Sequence, residues 1–538
     1  MLVRAFNLQL TALSVWLTLV TSIPLAARDL EAQYARSDNM IPLQVTRGTL
    51  KQPLRSAQSS HVRRSMLSTA QGNDTVPLYS SSQHYYSLPV TIGTQTFSLL
   101  VDLGSADTWT TEAFFTCAVG YYGQAPQSEC AMGNTFNWQY EDSSVVPLDG
   151  EHFWVRYADG DFAQGPMANV LMTIGDTTFA QEVGIAYTVA WNFGDNVTSG
   201  VLGLAYPNST NKYQGTDFYY DIPCPTNSSK TLDVGYGETY TCNEQNYDSV
   251  NKNLAASLDK PYFAMALSRD SSNSSNGGSM TFGGIPDVST PQINATGTYS
   301  IVPIEPFASD DTKALRYYVI SIDGVTFPTF FNSTAAAAAS STSSSSLSFS
   351  TAASDSVVRR SSKPKFHLND RRSSSMAFHP LSSDASNGTS QNPSAQFIID
   401  SGDPFIRLPA PLSQAFNGLF SPPATRYSSY YPWTVNCTTL AYTPALSIQI
   451  KGESFPINPE DLIVRVTEPY YDYRTGGVAE REVCYSAVQD AESDDEVGAL
   501  QSGATTNFLG QPFLKNVLMA VDLGSDRMAI LSRPYYES

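Results

Sequence analysis

The chain has 538 residues and a formal net charge of −19, with 41% hydrophobic, 12% aromatic and only 15% charged residues. That length allows two or three domains with sizeable cores. The acidity argues against nucleic acid as a partner, and the many Tyr, Ser and Thr favour strands and turns over long helices.

Residues 8–20 are apolar, with Arg4 before them and small residues after them up to Ala27. This is the pattern of a secretory signal peptide (1–27) rather than a membrane span. No later segment is apolar enough to cross a bilayer, and the final residues Arg-Pro-Tyr-Tyr-Glu-Ser carry no hydrophobic tail for a lipid anchor. The expectation is a protein released outside the cell, without a membrane anchor and monomeric. Residues 28–64 hold seven Arg or Lys against three Asp or Glu and end at Arg63-Arg64. They read as a basic propeptide, cut there or slightly later. Arg47, Lys51 or Arg55 could pair with the acidic body as an electrostatic plug, released when low pH protonates the carboxylates.

From about residue 76 the pattern turns strand-like. Tyr85–Gly93 runs into a turn, and Thr96–Val101 ends at Asp102-Leu103-Gly104-Ser105. Short strands with Gly, Asp and Asn turns continue to about 205, and Tyr157-Ala-Asp159-Gly160-Asp161 has the look of a hairpin tip. Residues 207–250 read as an elaborated loop, Asn251–Asp259 as a short helix, and Tyr262–Leu267 and Gly278–Gly284 as strand and turn. Residues 333–395 are rich in Ala and Ser and contain Arg359-Arg360 and Arg371-Arg372. Such a segment cannot bury a core and is expected to be a disordered surface insert. Directly after it, Phe397-Ile-Ile-Asp400-Ser401-Gly402-Asp403 is a second hydrophobic run that breaks at an Asp and turns at a Gly. Val521-Asp522-Leu-Gly-Ser525 repeats the first motif letter for letter, but its flanks read as a C-terminal hairpin, so Asp522 is taken as structural.

Six cysteines fit an oxidising compartment. Sequential pairing is the simplest connectivity: Cys117 with Cys130, Cys224 with Cys242, Cys437 with Cys484. No Cys-x-x-Cys or neighbouring His completes a zinc site, so neither metal nor cofactor is expected. Nine Asn-x-Ser/Thr sequons (Asn73, Asn196, Asn208, Asn227, Asn273, Asn294, Asn332, Asn387, Asn436) accord with a secreted glycoprotein.

A weak internal repeat connects the two Asp turns. Gly200-Val-Leu-Gly-Leu204 follows the first and Asn507-Phe-Leu-Gly510 follows the second, each roughly a hundred residues on. Two related lobes follow, 65–300 with Asp102 and 301–538 with Asp400. Turns meeting across a pseudo-two-fold axis would set two carboxylates side by side.

Together these residues resemble the pepsin-like aspartic proteases, especially secreted fungal ones, from about 84 to 533 without the insert. The resemblance rests on Val101–Trp109, Tyr157–Asp161 with Gly165, Gly200–Pro207, Thr281-Phe-Gly-Gly284, Ile398–Gly402 and Phe508-Leu-Gly-Gln-Pro-Phe513, six motifs in the right order. It implies an all-β, bilobal fold of two barrel-like lobes with a cleft between them. It also implies a zymogen with peptide or protein substrates, Asp102 and Asp400 as the catalytic pair, and a flap carrying Tyr157, Asp159 and Gly160 with Trp109 packed behind Tyr157. It matches one disulfide per lobe, 117–130 and 437–484, and gives less support to 224–242.

The chemistry implied is metal-free hydrolysis. Two close carboxyls share one proton; the ionised one activates water and the protonated one donates to the carbonyl oxygen. Gly104 and Gly402 let the backbone turn closely behind each carboxylate. Two positions depart from the family. Leu103 stands where a Thr ties the two turns together, leaving Ser401 as a one-sided tie. Asp403 stands where a Ser or Thr donates to the catalytic carboxylate, a role that Ser105 keeps in the first lobe. An ionised Asp403 only accepts and adds a third negative charge beside Asp400. These departures keep open an alternative: a catalytically impaired relative that uses the cleft as a peptide- or protein-binding module.

Overall fold

The computed structural model describes residues 34, 36–37, 40–47 and 84–533, except 120–122, 141–142, 158–159, 192–193, 216–220, 222–230, 234–238, 269–275, 292, 309, 311, 330–374, 381–394, 429–430, 439–442, 473–476 and 494–504. The expected signal peptide, Arg63-Arg64 and most of the insert lie outside the described residues.

The fold is all-β and bilobal, and each half is built around one Asp-bearing strand. In the first, Gln95–Asp102 pairs antiparallel with His84–Ile92 and parallel with Thr198–Gly203. Its last four residues are all buried, because neighbours on both edges and side chains on both faces leave no solvent side. In the second, Ala395–Ile399 pairs antiparallel with Val319–Ile322 and parallel with Thr505–Leu509, and Phe397, Ile398 and Ile399 are buried. The Gly-containing elements seen as an internal repeat are thus the parallel neighbours of the two Asp strands.

One sheet carries the first and the last described strands. Tyr262–Leu267 pairs with Asn276–Phe282 on one side and with Val517–Asp522 on the other, and Val517–Asp522 folds back on Arg527–Ser532. The repeated motif at 521–525 is therefore a hairpin turn, as expected. Its Gly524 N and Ser525 Oγ bond the Asp522 carboxylate at 2.9 and 2.6 Å on the exposed side of the sheet.

Part of the basic leader is built into the fold. Met40–Arg47 is a strand inside this sheet, inserted between Asn276–Phe282 and His84–Ile92. Tyr34, Ile41 and Leu43 are buried, and Arg36 pairs with Asp287 at 3.1 Å. Alternating apolar residues at 41 and 43 allow one face to join the core, a signal overshadowed by the charge of the whole segment. Lys51 and Arg55 lie outside the described residues.

Part of the segment expected to be disordered is a strand. Ser375–Pro380 forms a strand antiparallel to Gly324–Thr329, with the His379 ring stacked on Phe327 at 4.0 Å. Met376-Ala-Phe-His379 has the alternation a strand needs, and the Ser-rich flanks hid it. The short helix is Val250–Ser257, close to its expected span. Cys117–Cys130 and Cys437–Cys484 are disulfides, closing separations of 13 and 47 residues. Cys242 is also disulfide-bonded, and Cys224 lies outside the described residues. Among the described residues no helix is long and apolar enough to cross a membrane.

Candidate active site

Asp102 is the last residue of its strand and Asp400 follows directly on its own. Each strand stops there because the next residues turn back on the carboxylate: Gly104 N donates to Asp102 Oδ1 at 2.8 Å, and Gly402 N to Asp400 Oδ1 at 2.7 Å. The glycines are required by what faces them across the junction. A Cβ on Gly104 would overlap the Asp400 carboxylate, and one on Gly402 would lie 2.9 Å from Asp102 Oδ1. Each turn presses its glycine against the other's carboxyl, so the two acids are brought together as interacting neighbours.

The two carboxyls are not equivalent. Asp102 also accepts from Ser105 Oγ at 2.5 Å. Burial raises its pKa, against the lowering effect of the Ser105, Gly104 and Asp400 hydrogen bonds. Asp400 accepts from Gly402 N alone among these turn donors. Burial first, then the charges of Asp102 and Asp403, hold its carboxyl well above the ordinary carboxylate range. Asp102 is thus the better hydrogen-bonded of the two acids, which favours its ionised form over that of Asp400.

Ser401 ties the halves together as expected, and only in one direction. Its hydroxyl donates to Val101 O at 2.7 Å and accepts from Leu103 N at 3.1 Å. Leu103 is fully buried and contributes packing in return. Asp403 does not reach Asp400. Its Oδ1 accepts from Phe405 N at 2.9 Å and its Oδ2 from Arg407 Nε at 2.5 Å. Sequence reading overlooked Arg407, although opposite charges four residues apart in so uncharged a stretch were a usable signal.

The hairpin Val145–Arg156 and Phe162–Ile174 carries the expected flap tip. Tyr157 N bonds Asp161 O at 2.8 Å and Gly160 N bonds Tyr157 O at 3.0 Å. Gly160 has φ +93°, a conformation that excludes most side chains. Asp159 lies outside the described residues. Trp109, fully buried, donates Nε1–H to Tyr157 Oη at 2.8 Å. Trp191 packs edge-on against both rings, at 5.7 Å from Trp109 and 5.9 Å from Tyr157. No sequence spacing marks Trp191; it arrives by strand register, one residue beyond the pairing of Ala190 with Phe162. Asp107, within the first motif, is buried and accepts from Asn211 N at 2.8 Å, Asn211 Nδ2 at 3.1 Å and Tyr247 Oη at 2.8 Å. Burial pushes its carboxyl up to about 6.

A family model for the eukaryotic aspartyl proteases matches residues 85–362 and 366–532. The chain belongs to this family, and its enzyme class is the aspartic-type endopeptidase. It is 25% identical over 452 residues to a probable aspartic-type endopeptidase of Aspergillus fumigatus, covering 82% of this chain and 77% of that one. Shorter matches include barrierpepsin of Saccharomyces cerevisiae, 27% identical over 29% of each chain. Another is aspergillopepsin-1 of Aspergillus oryzae, 31% identical over 26% of this chain and 32% of that one. Among solved structures, the aspartic proteinase from Irpex lacteus aligns with a TM-score of 0.48 and 16% identity, over 84% of this chain and 96% of that one.

Proposed function

We propose that the protein is a secreted endopeptidase that cleaves peptide bonds at acid pH through Asp102, Asp400 and a water held between them. The observation that carries this reading is the interacting carboxyl pair, one acid from each half. Asp102, better supplied with donors, is the base that takes a proton from water as it attacks the carbonyl. Asp400, held protonated, donates to the carbonyl oxygen. Asp400 cannot donate once the shared proton is gone, so activity falls as pH rises. Tyr157 closes over the substrate while Trp109 and Trp191 hold its ring. Secretion and glycosylation rest on the leader pattern and on sequons, of which Asn196, Asn208 and Asn436 are exposed. Acid processing of the leader at or after Arg63-Arg64 rests on its charge.

The missing hydroxyl donor at Asp400 favours a second reading, a cleft that binds peptides without turning them over. An acid-pH peptide cleavage assay with and without pepstatin, beside Asp102→Asn, separates them. Pepstatin-sensitive cleavage lost in Asp102→Asn supports the protease. Cleavage that survives the substitution sinks the mechanism, and tight peptide binding without cleavage in the mature protein supports the second reading.

A further inference from the structure

Asp403 is a paradox if taken alone. A third carboxylate three residues from Asp400 should compete for the shared proton or repel the anion. Its surroundings resolve this. Asp403 is 8% exposed, and both its oxygens are drawn along its own turn, Oδ1 to Phe405 N at 2.9 Å and Oδ2 to Arg407 Nε at 2.5 Å. The Arg407 guanidinium lies over the Phe405 ring at 5.6 Å, which restricts where the cation can go. Arg407 faces Phe508 on one flanking strand and Gln489 on the other. Gln511 bonds the backbone oxygens of Asp403 and Ser401 at 2.8 and 3.1 Å. Asp490, one position along, is itself bonded to Arg426, Ser413 and Trp433. Among the described residues, the charged groups placed against Asp403 include Arg407 on its own turn and Asp400.

We propose that Arg407 is a positioning residue for the Asp102–Asp400 pair: it offsets part of the Asp403 charge and holds that carboxylate along its own turn. This inference rests on the reading of the pair as catalytic. Asp403 and Arg407 then form one unit that replaces a hydroxyl. The first turn steadies its carboxylate with a donor, Ser105; the second does so by offsetting a charge. Neither member works alone. Asp403 without Arg407 leaves an anion beside the pair, and Arg407 without Asp403 leaves a cation there.

The test is the pH profile of kcat/KM for Arg407→Leu, Arg407→Lys, Asp403→Thr and the double variant Asp403→Thr/Arg407→Leu. In Arg407→Leu the bare Asp403 anion holds protons on the pair more tightly, and the profile moves to higher pH by on the order of half to one unit. In Asp403→Thr the anion is gone and the guanidinium remains, which moves it the other way. Lysine keeps the charge and holds the profile near its original position, while the double variant brings the opposing shifts back together. A merely structural role would lower activity and Tm with the profile in place. Should Arg407→Leu fail to fold, the double variant must still sit at higher pH than Asp403→Thr. An active Arg407→Leu with the original profile overturns the inference, as do two single variants that shift in the same direction. These outcomes leave the catalytic pair standing. A mature wild type that cleaves nothing, or cleavage that survives Asp102→Asn, sinks the pair itself and the inference with it.

Discussion

Leu103 gives its backbone N–H to Ser401 Oγ at 3.1 Å, and the same hydroxyl passes its proton to Val101 O at 2.7 Å. One side chain from the second half therefore satisfies a buried donor and a buried acceptor of the first. No hydroxyl returns the bond, because position 103 carries a leucine. Ser401→Ala would leave both backbone groups unpaired, at about 1–3 kcal/mol each. Urea denaturation should show a loss of about 2–6 kcal/mol, with kcat reduced because the two turns are no longer held in register. Ser401→Thr keeps the hydroxyl and should lose far less. Equal stability of the alanine variant and the wild type would mean that the tie does not hold the junction.

Gly104 offers a test of geometry that leaves both acids in place. A methyl group there would overlap the Asp400 carboxylate. The backbone at Gly104 is not among the positive-φ positions, so alanine is not refused on conformational grounds. Gly104→Ala should lower kcat by about 100-fold or more, as expected when reacting groups are misplaced by about an ångström. Its Tm should remain close to that of the wild type. Full activity in this variant would mean that the carboxyls need not meet as closely as they do.

Tyr157 and Trp109 are coupled through one hydrogen bond of 2.8 Å. Tyr157→Phe removes the acceptor and Trp109→Phe the donor. Each should reduce kcat/KM about 5- to 10-fold, the equivalent of roughly 1 kcal/mol. The double variant should lose little more than either single one, since both remove the same bond. Additive losses would show that the two rings act independently.

The turns at 102 and 522 mark how far the sequence could be read. Both read Asp-Leu-Gly-Ser, and both fold into the same local device, with Gly N and Ser Oγ bonded to the Asp carboxylate. Local chemistry was legible in each. What separates them is non-local: Asp102 is buried against a second acid, and Asp522 lies on the exposed side of a hairpin. Flanking residues pointed to that difference, and the paired Gly elements at 200–204 and 507–510 pointed to two lobes. Long-range register was out of reach, which is why Trp191 and the placing of Met40–Arg47 inside the sheet went unseen. Asp403 was noticed for its charge, but its pairing with Arg407 depends on where both side chains point.

The leader strand can be probed through its core face. Leu43 is 1% exposed and packs in the same core as Leu88, Met280 and Phe282. Leu43→Ala should cost about 2–5 kcal/mol if the strand is a structural part of the fold. A leader that only plugs the site electrostatically would give an unchanged denaturation midpoint and a changed activation rate instead.

Stability should itself depend on pH, and the direction follows from the buried acids. Burial raises Asp107 from 3.8 to about 6, and it raises Asp102 and Asp400 as well. An acid whose pKa is higher when folded contributes its full stability below the unfolded value and loses it as pH climbs through the folded one. For Asp107 that loss spans pH 3.8 to 6 and beyond and amounts to roughly 3 kcal/mol. The opposite limb comes from Asp287 and Asp310. Hydrogen bonds from Ser289 lower the first; those from Thr312 and Arg316 lower the second against the opposing effect of burial. Their contribution is lost as pH falls through their depressed values. Tm should therefore peak at mildly acid pH and decline toward neutrality. Asp107→Asn, which cannot ionise, should flatten the neutral-side decline, although its amide must face one of the donors that Asp107 now accepts and will lower Tm overall. A neutral-side slope as steep in Asp107→Asn as in the wild type would place the pH sensitivity elsewhere.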